Sequence, residues 1–155
     1  MTQSRKSLIS LDATQYYHCI SRCVRRAFLC GSDVVTGRNF DHRRDWIEKR
    51  LELLNTVYAI DLCAYSIMEN HFHLVIYIDE SEALRWTTKE VIDRWCKIYK
   101  GPHLIQKYRA GEALTPAEVN VVSSIAEQWR QRLLDVSWFM RNINEYIARK
   151  ANEED

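Results

Sequence analysis

Two histidines flank a single phenylalanine in Asn70-His71-Phe72-His73-Leu74-Val75-Ile76-Tyr77-Ile78, at the head of an apolar, β-branched run. In a strand, alternate side chains share a face, so His71 and His73 project from one side, roughly 6.6 Å apart along the backbone. Phe72, Leu74, Ile76 and Ile78 form the other face, which is apolar and suited to packing on helices. Neutral imidazole is a frequent ligand of divalent metals, and two on one rigid strand are half oriented before any ion arrives. The same pattern is also that of a surface strand with two solvated histidines. Spacing alone leaves both readings open.

The neighbouring sequence supplies the elements that position them. Leu62 to Met68 has strand composition, and only Glu69-Asn70 separates it from the histidine strand, which predicts a tight hairpin. Gln15 to Cys23 is a further strand-like run. A helix is predicted from about Asp41 to Tyr58, where Trp46, Ile47, Leu51, Leu54 and Tyr58 recur at helical spacing. A second is predicted over Lys89 to Tyr99, with Val91, Ile92, Trp95 and Ile98 on one side. In a late stretch, Phe139, Ile143 and Ile147 recur every fourth residue, with Met140 beside them and Asp135 or Ser137 as N-cap. Tyr146 adjoins that stripe, either as an amphipathic boundary residue or as a phenol reaching the sheet. Residues 100–120, with Gly101-Pro102 and Thr115-Pro116, read as a loop-rich connection.

Three stretches together resemble the single-tyrosine HUH transposases, in particular the REP-associated tyrosine transposase branch. They are Tyr17-His18-Cys19-Ile20-Ser21-Arg22, the segment from Tyr65 to Val75 that contains both histidines, and Ser137 to Arg149. The resemblance implies an α+β fold with a ferredoxin-like antiparallel sheet, helices on one face and a C-terminal helix carrying the nucleophile, all within a single catalytic domain over residues 1–155. It implies His71 and His73 as ligands of Mg²⁺ or Mn²⁺, and Tyr146 as the attacking residue. The activity implied is nicking and joining of single-stranded DNA at hairpin-containing repeats, through a 5′-phosphotyrosine intermediate. Imidazole ligation favours Mn²⁺ over Mg²⁺.

The sequence departs from the family in two places. Relatives often place a third metal ligand about one turn beyond the tyrosine, where this chain has Lys150, leaving Asn142, Asn152, water or a DNA phosphate as substitutes. They also commonly continue into a basic, aromatic segment, whereas this chain stops at Ala151-Asn152-Glu153-Glu154-Asp155, so the expected domain lacks that extension. Two other readings belong to different classes: a DNA-binding module without nicking chemistry, and a metal-dependent nuclease that uses water.

Composition and charge constrain partners. The chain has 155 residues, 46% of them hydrophobic, with 4 Gly and 2 Pro, which suits one domain with a core and little linker. Five cysteines without a Cys-x-x-Cys pair read as reduced thiols and argue against a zinc site. No apolar run is long enough to span a membrane and no signal peptide opens the chain, so a cytoplasmic, nucleoid-associated bacterial protein is expected, with no membrane partner and a homodimer left open. Net charge is +1, yet residues 1–50 hold ten Lys or Arg against five Asp or Glu, and residues 51–155 twelve against sixteen. Arg22, Arg25 and Arg26 are the expected DNA contacts within that basic half, which also includes Arg38, Arg43 and Arg44. Tyr16, Tyr17 and Trp86 are candidates to stack unpaired bases, whereas Trp95 fits the core by its helical spacing.

Overall fold

The computed structural model describes residues 8–22 and 28–154. Three strands, β1 (Tyr16–Arg22), β2 (Ile60–Ile67) and β3 (His71–Ile78), form one antiparallel sheet with β3 in the centre, in the order β1-β3-β2. Helix α1 (His42–Asn55) connects β1 to β2. After β3 the described chain is helical: α2 (Glu80–Arg85), α3 (Thr88–Trp95), α4 (His103–Arg109), α5 (Pro116–Arg132) and α6 (Val136–Glu154). The fold is therefore α+β, with a small antiparallel sheet and a larger helical part.

Period-two alternation decides which side of the sheet is covered. Phe72, Leu74, Ile76 and Ile78 are fully buried and join Ile47, Leu51 and Leu54 of α1 and Phe139 and Ile143 of α6 in one core. At about 25 cal/mol per Å² of apolar surface removed from water, this continuous inner face is the main force holding sheet to helices. Their alternating neighbours Val75 and Tyr77 face outward with the histidines. Cross-strand register places Ile20 and Ser66 on either side of His73, and Arg22 beside His71. On that outer face Tyr16 is 60% and Ile20 49% exposed, so among the described residues helices cover the inner side.

The hairpin between β2 and β3 is clamped from outside. Leu29 N–H donates to the Glu69 carbonyl at 2.6 Å. Gly31, at φ +83°, lies so close to Glu69 that a Cβ there would stand 3.0 Å from its Cγ. Only glycine combines that left-handed backbone with the close approach. Asn70, the second turn residue, is thereby held at a defined place beside His71.

The segment read as loop-rich holds a helix of its own. α4 occupies residues 103–109, and α5 begins at Pro116, inside the same stretch. Proline in the first turn needs no backbone N–H, and Thr115 with Glu118 makes a complete capping box, so Thr115-Pro116 starts a helix. α5 contributes Val122, Ala126 and Trp129 to the core, with Trp129 stacked on Trp95 at 4.9 Å between ring centroids. Trp95 is thus a core residue, as its spacing indicates.

Candidate functional site

His71 and His73 share the outer face of β3 as the alternation requires. Their ring centroids are 5.0 Å apart and nearly perpendicular. His71 Nδ1 lies 2.8 Å from Asn70 Oδ1. A third imidazole, absent from the sequence-based site, stands beside them: His18 of β1 places Nε2 3.0 Å from His73 Nδ1, with the rings stacked at 5.1 Å. His18 pairs across the sheet with Val75 and reaches His73 on the diagonal. His18 lies in the Tyr17–Arg22 stretch that carries the resemblance, but the sequence assigns it no site role, because the register joining residues 18 and 73 is a tertiary fact.

Arg22 closes the end of this row. It is exposed, it faces His71 across the β1–β3 ladder, and it adds a permanent cation next to the imidazoles. Arg25 and Arg26 lie outside the described residues. Arg43 does not belong to a solvent-facing basic surface: it is 3% exposed, donates to Glu154 and to the Phe28 carbonyl, and stacks over Phe40 at 4.4 Å. Burial of its guanidinium at the α1–α6 contact removes it from phosphate duty. Arg38 also lies over Phe40, at 5.2 Å, and Arg44 donates to the Cys30 sulfur.

The proposed stacking residues divide by face. Tyr16 is exposed on the outer side, 4.9 Å from Tyr77 between ring centroids. Tyr17 points the other way, and its hydroxyl is committed to the carbonyls of Ser10 and Thr14. Trp86 is buried beneath Arg94. Of the three, only Tyr16 presents its ring to the histidine face.

Tyr146 occupies a different environment. Phe139, Met140, Ile143 and Ile147 are buried as the stripe on α6 demands, and the Asp135 carboxylate accepts from the Ser137 and Trp138 N–H groups to cap the helix. Tyr146 is half-buried next to them, with the Arg50 guanidinium 4.5 Å above its ring and Lys150 Nζ at 5.7 Å. Arg50 is itself held by two hydrogen bonds to Asn142 Oδ1, at 3.0 and 2.6 Å, and partial burial lowers its pKa. α6 is also tied to the inner face of β1, where Ser21 donates to Asn144 Oδ1 at 3.0 Å. The phenol therefore sits in the helical layer among cations, while the histidines project from the opposite side of the sheet. Within one chain the structure does not bring Tyr146 and the histidine pair together.

Of the two asparagines that could replace a third ligand, Asn152 is exposed near the end of α6, the helix that carries Tyr146. Asn142 is buried and spends its amide on Arg50 and on the Tyr99 hydroxyl. Lys150 leans on Trp46, 5.3 Å from the ring. Among the described residues no three His, Cys, Asp or Glu side chains are gathered as a ligand set. The donor set that does fit a borderline divalent ion is the imidazole pair, leaving the remaining positions to water or substrate oxygen. Among the described residues no helix is long and apolar enough to cross a membrane. Compared with protein-family models, with curated proteins and with solved structures, the chain matches none.

Proposed function

We propose that this chain is a metal-dependent enzyme that nicks single-stranded DNA at hairpin-containing repeats and rejoins the ends by transesterification. The observation that carries the reading is the uncovered sheet face on which His71 and His73 stand side by side with Arg22 across the ladder. In this reading the three strands and α1 are the first part of a ferredoxin-like core. His71 and His73 would hold Mg²⁺ or Mn²⁺, which would supply Lewis-acid polarisation of the scissile phosphate. Arg22 offsets phosphate charge and orients the strand, and the exposed Tyr16 ring stacks an unpaired base.

Tyr146 is the nucleophile. Its phenolic oxygen forms a bond to phosphorus, the bond to the 3′-oxygen breaks, and the phenol proton ends on the released 3′-hydroxyl by way of solvent, leaving a 5′-phosphotyrosine. A free phenol ionises at about 10, so the Tyr146 proton has to pass to solvent as attack proceeds, and Arg50 and Lys150 supply positive charge beside the ring for an approaching phosphate. Because Tyr146 and the histidines occupy opposite layers, catalysis requires α6 to be displaced or supplied by a second copy of the chain.

That separation also favours a second reading, a hydrolytic nuclease in which water attacks at the histidine face and Tyr146 is structural. A denaturing gel of the protein with labelled hairpin DNA and Mn²⁺ separates the two. Transesterification gives a DNA–protein adduct whose modified peptide contains Tyr146, and Tyr146→Phe abolishes both adduct and nicking. Nicking without an adduct, unchanged in Tyr146→Phe, establishes hydrolysis instead. DNA retardation without cleavage identifies a binding module.

A further inference from the structure

Both histidines of the pair are hydrogen-bonded through the same ring atom, Nδ1: His71 to Asn70 Oδ1 at 2.8 Å and His73 to His18 Nε2 at 3.0 Å. An amide oxygen only accepts, so the proton of the first bond resides on His71 Nδ1, and His71 Nε2 is left as a bare lone pair. We propose that Asn70 and His18 are positioning residues that hold His71 and His73 in the Nδ1–H tautomer, so that both present Nε2 to one divalent cation. This rests on the metal reading above and assigns the residues that make it work.

The assignment follows from what a ligating imidazole requires. Only an unprotonated ring nitrogen coordinates a metal, and the hydrogen bond made by the other nitrogen decides which one that is and fixes the plane of the ring. Asn70 meets this need for His71 from a turn that is itself clamped, through Leu29 on Glu69 and through the close approach of Gly31. His18 meets it for His73 from the neighbouring strand. With its own proton on Nδ1, His18 accepts at Nε2, and stacking at 5.1 Å with 23° between planes sets the orientation of the His73 ring. Two imidazoles from one strand, each steered by a different partner, account for a site built from only two protein ligands. The 55-residue separation of His18 from His73 is bridged by the β1–β3 register, so the device depends on the sheet and not on the hairpin alone.

Long-range ¹H–¹⁵N NMR of the metal-free protein reads the tautomers, and electron paramagnetic resonance of free Mn²⁺ reads affinity without any turnover. The wild-type chain is expected to show Nδ1–H for both His71 and His73. His18→Ala frees His73, and Asn70→Ala frees His71, to the other tautomer, each weakening Mn²⁺ binding about 10- to 100-fold. His18→Gln and Asn70→Asp, which keep an acceptor, restore the Nδ1–H tautomer, and His18→Gln also recovers most of the affinity. His73 found as Nε2–H in the wild type, or alanine variants that bind Mn²⁺ as the wild type does, overturns the inference and leaves the metal reading standing. A wild-type chain that takes up no Mn²⁺ overturns both.

Discussion

The two faces of one strand, β3, have opposite fates. The inner face carries Phe72, Leu74, Ile76 and Ile78 into a core shared with α1 and α6, and each is buried. The outer face carries His71, His73, Val75 and Tyr77, which no helix covers among the described residues, with His18 and Arg22 arriving from β1. Stability is invested on one side and polar chemistry on the other, so changes on the outer face cost little folding energy. Tyr146 lies on the invested side, packed under Arg50, and that is what sets it apart from the histidines.

Substitution should expose this division most strongly in stability. Phe72→Ala deletes a fully buried ring and is expected to cost about 3–5 kcal/mol in urea unfolding, whereas His73→Ala, one residue away, should stay within about 0.5 kcal/mol. Comparable losses for the two would mean that the histidines are structural. A smaller effect is expected at Asn142, whose amide oxygen receives both Arg50 bonds. Asn142→Ala leaves a partly buried guanidinium without that acceptor and should cost about 1–3 kcal/mol, with the cation over Tyr146 loosened. Unchanged stability would show that Arg50 is solvated and the phenol is not clamped.

Least change in stability, and most in DNA affinity, is expected for Arg22→Ala. The side chain is exposed beside His71, so unfolding should be unaffected. Binding of single-stranded DNA should weaken, and the slope of log affinity against log salt should flatten by about 0.7 for the lost phosphate contact. An unaltered slope would place the strand elsewhere on the molecule.

What the sequence disclosed follows from the range of the interactions involved. Strand β3 and its two faces were legible because alternation is local, and the α6 stripe was legible because Phe139, Ile143 and Ile147 recur at helical spacing. Helices α4 and α5 were obscured by Gly101-Pro102 and Thr115-Pro116, although the second pair is a helix start once Glu118 is counted as its capping partner. His18 could not be placed beside His73 without knowing the β1–β3 register. The surroundings of Tyr146 depend on Arg50, 96 positions earlier in the chain, and no periodicity on α6 reveals which neighbour covers a boundary residue. Arg43 likewise reads as basic surface in the sequence, whereas the fold encloses it between Glu154 and Phe40.

The proposed function requires the open histidine face to do metal-dependent chemistry on DNA. Its most direct test is cleavage of an end-labelled single-stranded hairpin oligonucleotide by the wild-type chain and by His71→Ala/His73→Ala, each with Mn²⁺ and with chelator. Cleavage is expected from the wild type only with Mn²⁺, and from the folded double variant under neither condition. Equal cleavage by the two proteins, or wild-type cleavage undiminished by chelator, would contradict it.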